Sequence, residues 1–143
     1  NGAERTLQNK NTGASFYGIN FNVHKKEHLF RAAQEGIVFA MNYGFEVMKN
    51  MGVVIKKIRA GHANMFLSSV FREIFVNACN VPLEIFSTDG SQGAARAAGI
   101  GAGIYKSFDE AFIGLQKIKT LEPEKNMGKI YKEIYGSWKK LIC

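Results

Sequence analysis

Residues Ile58 to Gly103 read IRAGHANMFLSSVFREIFVNACNVPLEIFSTDGSQGAARAAGIGAG. The order is strand, glycine turn, helix, strand, polar loop, and a second helix built almost wholly of Gly and Ala. The turn is Ala60-Gly61-His62-Ala63-Asn64. A strand that ends in small residues and opens a helix leaves backbone N–H groups free at the helix start, where they suit anionic oxygens. Gly61 is a single glycine where a dinucleotide fingerprint carries three, and G-x-x-x-x-G-K-S/T is absent from the chain. Spacing alone therefore favours a tight strand-to-helix turn with no ligand.

Beyond the turn, Val70, Phe71, Ile74, Phe75 and Ala78 fall on one helical stripe. Asn80 stands where a left-handed C-cap is needed, and Val81-Pro82 allows no further helix. Leu83 to Phe86 reads as a buried strand. In the Ser87-Thr88-Asp89-Gly90 loop either Asp89 or Ser91 can cap the next helix, Gly93 to Tyr105. Its close-packing positions carry Gly93, Ala94, Ala97, Ala98, Gly101 and Ala102. That much glycine costs helix propensity, about 1 kcal/mol per residue, which tight packing against another helix would explain.

Downstream, Ser107 and Glu110 have capping-box spacing, and Phe108, Ala111, Phe112 and Leu115 are expected to face inward. Residues 117–123 should be extended. A last helix places Met127, Ile130, Tyr131, Ile134, Trp138 and Leu141 on one stripe. Upstream, residues 1–13 are polar and aperiodic, and Tyr17, Ile19 and Phe21 alternate as in a short strand from Ser15 to Phe21. From about Lys25 a long helix should bury Leu29, Ala33, Ile37, Ala40, Gly44, Val47, Met48 and Met51, with Gly36 and Gly44 permitting close approach. Gly52 caps it, and Val53 to Arg59 follows as a strand.

At 143 residues the chain has the length and composition of one ordinary domain, residues 1–143, with a real core. It opens at Asn1 without an initiator Met, which reads as a piece of a longer protein. The net charge of +7 raises nucleic acid as a partner, but Glu122, Glu124 and Glu133 interleave with the densest lysines, a pattern of a solvated face. Nucleic acid is accordingly the less favoured partner. Cys79 and Cys143 form no C-x-x-C pair, which suits a reducing cytoplasm, and no apolar run reaches the length of a membrane span.

His24-Lys25-Lys26-Glu27-His28 matches the letters H-x-x-E-H, yet two lysines on that turn repel a cation, so a helix start is the better reading. No metal site is expected. No nucleophile stands beside a recognisable base, and no carboxylate pair stands out. Asp89 is explained by capping. Gly61 is the leading candidate for a ligand contact at the turn, since a side chain there would keep an anion off the backbone. Asn64 follows, because its amide can both cap a helix and hydrogen-bond a ligand edge.

The A-G-H-A-N turn, the F-R-E-I helix, the V-P-L strand and the Q-G-A-A-R-A-A-G run together resemble the adenosine-binding half of the FGGY carbohydrate kinases, xylulose kinases in particular. Phe71-Arg72 matches an aromatic-Arg pair of that family, and Ala63-Asn64-x-Phe66-Leu67 is similar to a segment of the glycerol kinases. Gly2-Ala3-Glu4-Arg5-Thr6 resembles the family's G-E-R-T element with Ala3 added, and Gly13 to Gly18 its G-x-x-x-G-L stretch. His28-Leu29-x-Arg31-Ala32-x-x-Glu35-Gly36 resembles its H-L-x-R-A-x-x-E-G helix. Ala60 and His62 stand where the family more often has glycine.

The resemblance implies an α/β fold: part of an actin-like, ribonuclease-H-like ATPase domain, helices packed on a small mixed sheet. It further implies the C-terminal, nucleotide-binding portion of a two-domain cytoplasmic sugar kinase. The whole enzyme would pass the γ-phosphoryl of ATP, with Mg²⁺, to a ketose, D-xylulose first among them, with ribulose, glycerol or another polyol as alternatives. Gly61, Asn64, Ala60 and His62 would meet the nucleotide. No residue matches the family's catalytic Asp, so the chain alone should be inactive without the N-terminal domain. A homodimer is left open. The competing class is a non-enzymatic basic module that binds nucleic acid or protein.

Overall fold

A computed structural model of the chain describes residues 7–11 and 13–142. The G-E-R-T-like element at residues 2–6 and Cys143 lie outside the described residues. The elements run α1 (Lys26–Asn50), β1 (Ile58–Gly61), a 3-10 turn (Asn64–Leu67), α2 (Ser69–Cys79), β2 (Leu83–Phe86), α3 (Gly90–Gly101), α4 (Phe108–Ala111), β3 (Lys117–Leu121) and α5 (Lys125–Ile142). β2 is central: β1 joins it in parallel, with Ile58 opposite Leu83 and Gly61 opposite Phe86, and β3 in antiparallel, with Leu121 opposite Leu83. A bulge at Ile85/Phe86 shifts the second register. This is the mixed sheet expected.

The core forms where α1, α2 and α5 meet β2. Val38 and Phe39 of α1, Phe71, Ile74 and Phe75 of α2, Leu83 and Ile85 of β2, and Tyr131 and Tyr135 of α5 make one buried cluster. The α2 stripe is thus the one its spacing predicts. Its carboxyl end also agrees, with Asn80 left-handed at φ 51°, but its start differs: Ser68 rather than Asn64 is the cap, its Oγ accepting from the Phe71 N–H at 3.2 Å. Gly52 ends α1 at φ 88°: its N–H reaches the Lys49 carbonyl at 2.9 Å and the Val53 N–H reaches that of Met48 at 3.1 Å.

Several local expectations are corrected. Ser15 to Phe21 forms no strand; no neighbouring strand pairs with it, and Phe21 is 82% exposed. α1 buries Val38, Phe39, Ala40 and Asn42, while Ile37, Val47, Met48 and Met51 of the expected face remain exposed. Apolar residues occupy most of that helix's circumference, so its contacts with α2 and α5, not its periodicity, select the inner face. A Cβ at Gly36 would meet nothing within 4 Å, so that glycine serves no close approach. β1 begins at Ile58 rather than Val53. α5 docks through Tyr131 and Tyr135, leaving Ile130, Ile134 and Leu141 exposed.

α3 starts at Gly90 with Asp89 as its cap and stops at Gly101, not Tyr105. Cβ atoms at Gly93 and Gly101 would meet open space, so tight packing does not account for those glycines. Gly99 is the packed one: a Cβ there would stand 2.6 Å from the Tyr105 ring, which folds back on it. Ser107 caps α4 through the Glu110 N–H at 3.1 Å, but Glu110 returns to the Lys106 N–H at 2.6 Å rather than to Ser107. Phe108 and Phe112 are exposed; only Ala111 of the expected inward set is fully buried.

Two polar networks tie the layers. Arg31 of α1 donates to the Tyr131 hydroxyl of α5 at 2.9 Å and to carboxylates of Glu35 and Glu73, both at 3.2 Å. The Tyr131 contact, with those carboxylates, holds the guanidinium firmly protonated. On the opposite face of the sheet, Glu84 has a side chain only 10% exposed, met by Arg59 at 3.1 Å and by Lys57 and Lys117 at 3.3 Å each. Arg59 first, then Lys57 and Lys117, hold its carboxyl down to about 2 from an ordinary 4.5. A depressed carboxyl contributes stability above its unfolded value and loses it as pH falls through the folded one. Urea midpoints of Glu84→Gln measured from pH 7 to 2 should therefore start lower than wild type and fall less between pH 4.5 and 2. A parallel acid limb in the two proteins would contradict this assignment.

Candidate functional site

β1 and β2 end side by side, and ligands of open α/β sheets bind beyond the carboxyl ends of such strands. After β1, the His62 N–H donates to the Phe86 carbonyl at 2.8 Å and the Ala63 N–H to that of Gly61 at 2.9 Å. After β2, the Thr88 N–H also reaches the Phe86 carbonyl, at 2.9 Å, while Ser87 and Gln116 bond each other's backbone and hydroxyl. Two short loops, 62–64 and 87–89, are thereby fixed as facing walls. Between them opens a cleft of about 410 Å³. His62, Ala63, Asn64 and Leu67 line one side, and Ser87, Thr88, Asp89, Gln92 and Ile118 the other.

The four expected site residues separate by role. His62 and Asn64 are exposed and line the cleft, and Asn64 takes φ 51°, a left-handed conformation that asparagine tolerates better than most residues. Ala60 turns its side chain to the core. Gly61 is glycine for a reason the sequence did not suggest. A Cβ there would strike the Thr88 carbonyl oxygen and stand 3.0 Å from its carbon and 3.3 Å from the Asp89 Cα, so the missing side chain lets the two walls touch at their base. The turn also opens a 3-10 turn rather than the long helix, whose own start lies at Ser68. The first N–H groups after this bend therefore belong to the 3-10 turn and not to α2.

Thr88, Asp89 and Gln92 were not picked out as cleft residues from the sequence. The available signal was a polar loop following each of two candidate strands, and it becomes informative only once β1 and β2 are known to pair. Asp89 accepts from the Gln92 N–H at 2.9 Å and the Ser91 hydroxyl at 2.7 Å, and the first of these, with the second, lowers its carboxyl below the usual range. Among the described residues no Lys or Arg lines the cleft. Its amide, hydroxyl, imidazole and single carboxylate suit a neutral group bearing donors and acceptors, such as a nucleoside, better than a polyphosphate.

A second hollow of about 520 Å³ lies between α3 and α4, lined in part by Arg96, Tyr105 and Glu110. Its guanidinium already donates to the Ala111 carbonyl and lies 5.8 Å from the Phe112 ring centroid. His24 and His28 turn their Nδ1 atoms to the backbone N–H groups of Asn20 and Lys25, both at 2.9 Å, which is helix-start hydrogen bonding rather than ligation. Among the described residues no three His, Cys, Asp or Glu side chains gather closely enough to hold a metal ion. Burial pushes the Cys79 thiol up to about 12, leaving it inert. No helix among the described residues is long and apolar enough to cross a membrane.

No protein-family model matches the chain. It is 28% identical over 135 residues to the L-xylulose/3-keto-L-gulonate kinase of Escherichia coli K12, covering 91% of this chain and 26% of that one. Among solved structures it resembles a xylulose kinase from Rhodospirillum rubrum, with a TM-score of 0.74 at 22% identity over 89% of this chain and 26% of the other. It also resembles a glycerol kinase from Plasmodium falciparum solved with ADP, with a TM-score of 0.67 at 24% identity over 90% of this chain and 26% of the other. The chain thus spans about a quarter of the length of the relatives it matches. The likeness to the FGGY carbohydrate kinases and the actin-like α/β fold read from the sequence are both found.

Proposed function

We propose, for a chain that folds like one quarter of an FGGY carbohydrate kinase, that it supplies the adenosine side of an ATP site. The observation that carries this reading is the cleft at the ends of β1 and β2, open, nucleoside-sized and without a cation. Asn64 offers an amide to the purine edge or ribose, and His62 a ring beside it. Gly61 and Ala60 act through their backbone, and Asp89 can accept from a ribose hydroxyl or an exocyclic amine. The full-length cytoplasmic protein would pass the γ-phosphoryl of ATP to a hydroxyl of a ketose, D-xylulose first.

Mg²⁺ does not fit the residues present, because one capped carboxylate cannot hold it and no cation stands by for the phosphates. Those groups fall to parts of the protein that also carry the base and the sugar contacts. Phosphoryl transfer depends on positioning from both sides of the phosphates, so this chain alone should show no kinase turnover. Titrating the ¹⁵N-labelled chain with ADP should shift Gly61 to Asn64 and Thr88 to Gln92, with a Kd of about 1 mM, roughly 4 kcal/mol of binding. Shifts confined to other surfaces would overturn the reading. So would salt-sensitive binding of DNA or RNA with no nucleotide effect, the signature of a basic module.

A further inference from the structure

We infer that Arg72 is a positioning residue of the cleft: from α2 its guanidinium clamps the 3-10 turn that carries Asn64 and Leu67. This rests on the nucleotide reading above. Arg72 does not line the cleft. Its Nη1 donates to the Phe66 carbonyl at 2.7 Å and reaches the Leu67 carbonyl at 3.4 Å, the oxygens at the carboxyl end of that short turn. Such terminal carbonyls lack intrahelical donors and carry partial negative charge, so a guanidinium is a matched partner. Among the described residues Arg72 enters no ion pair, so an arginine of α2's first turn is held by backbone alone.

The remaining anchors of the turn act at the Ser68 cap that closes its carboxyl end and along its inner side. Ser68 Oγ donates to Gln34 of α1 at 2.9 Å, and the Phe66 ring stands edge-on to Phe71 and Phe75 at 5.3 and 5.1 Å. These fix where the turn sits on the core. They do not hold the carbonyls of Phe66 and Leu67, whose orientation sets the pitch of the turn and hence the direction in which the Asn64 amide and the Leu67 side chain face. Among the described residues, Arg72 is the side chain that grips both. Removing it leaves a turn that is docked but free to rock. If the binding arrangement is then occupied about a tenth of the time, the apparent Kd rises about tenfold. Lysine keeps the charge but not the planar, pre-oriented guanidinium that aims Nη1 at both carbonyls, so it should restore only part of the grip.

The test compares wild type, Arg72→Ala and Arg72→Lys as the full 143-residue chain, with ADP as probe and three readouts: Kd, amide exchange and melting temperature. Arg72→Ala should raise the Kd about tenfold and speed exchange at Met65 to Ser68. The amides of α2 and β2 and the melting temperature should stay near wild type, and Arg72→Lys should fall between. A purely structural role would instead lower the melting temperature and loosen the core amides together. Wild-type affinity in Arg72→Ala overturns the inference. Should Arg72→Ala not fold, Arg72→Lys decides: a raised Kd at normal melting supports the clamp, and an unchanged Kd overturns it. Absence of any ADP shift in the wild-type chain overturns the nucleotide reading itself and the inference with it, and that result is visible before any variant is made.

Discussion

Replacing Gly61 by alanine should cost about 1–3 kcal/mol of stability and abolish measurable ADP binding, because the added methyl group overpacks a junction built from backbone. The first atom it would meet is the Thr88 carbonyl oxygen, followed by the Thr88 carbon at 3.0 Å and the Asp89 Cα at 3.3 Å. None of these can rotate aside as a side-chain tip would. Relief requires the 87–89 loop to lift from β1, and that loop is held by Phe86 and Gln116 through hydrogen bonds of 2.9 Å. The loss therefore falls on the parallel β1–β2 pairing and on the separation of the two cleft walls together. Urea unfolding and an ADP titration of Gly61→Ala measure the two parts. A wild-type urea midpoint would show that the walls do not meet at this glycine.

The second large effect concerns the core under the same cleft. Phe75 is fully buried, and its ring meets Phe45 at 6.1 Å, Phe66 at 5.1 Å and Phe71 at 6.2 Å between centroids, so α1, the 3-10 turn and α2 converge on it. Phe75→Ala should lose about 3–5 kcal/mol, the transfer term of the ring plus the cavity it leaves. For a domain of this size that is a large share of total stability, and the melting temperature should fall by roughly 10 °C or more. The neighbouring ring of Phe66 loses its support as well, so amide exchange in the turn should rise with it. A loss below about 1 kcal/mol in denaturant would mean that α1 and α2 can collapse into the space, contrary to the close packing described.

How much of this was legible beforehand depended on whether a signal was local. α2 and β2 were readable because Phe71, Ile74 and Phe75 sit at helical spacing ahead of an asparagine stop, and Pro82 then forces an extended chain into Leu83; the Ser68 cap that starts α2 was not read. The same kind of reading failed on α1. With Ile37, Val38, Phe39, Met41, Val47 and Met48 spread around its circumference, the sequence supports more than one apolar face, and only the approach of Phe75 and Tyr131 decides between them. At Ser15 to Phe21 the alternation was present but no strand lay alongside to use it. For the site, the turn at Ala60 to Asn64 announced itself through its glycine. The facing wall did not, since Thr88 and Gln92 approach His62 and Asn64 only through the pairing of strands about 25 residues apart. Gly61 was singled out, yet for a ligand's approach, whereas the space a side chain would need there is filled by the Thr88 and Asp89 backbone.

The bond between Arg31 and Tyr131 joins residues 100 positions apart, and it has a bearing on synthesis. A ribosome adding about 5–20 residues each second needs on the order of 5–20 s to travel from one partner to the other. For most of that interval Val38 and Phe39 have been translated while the Tyr131 and Tyr135 rings that pack against them have not. The nascent polypeptide can pair its two parallel strands early, but this interior cannot close until α5 clears the exit tunnel, so its apolar face stays open to chaperones that bind such segments of growing chains.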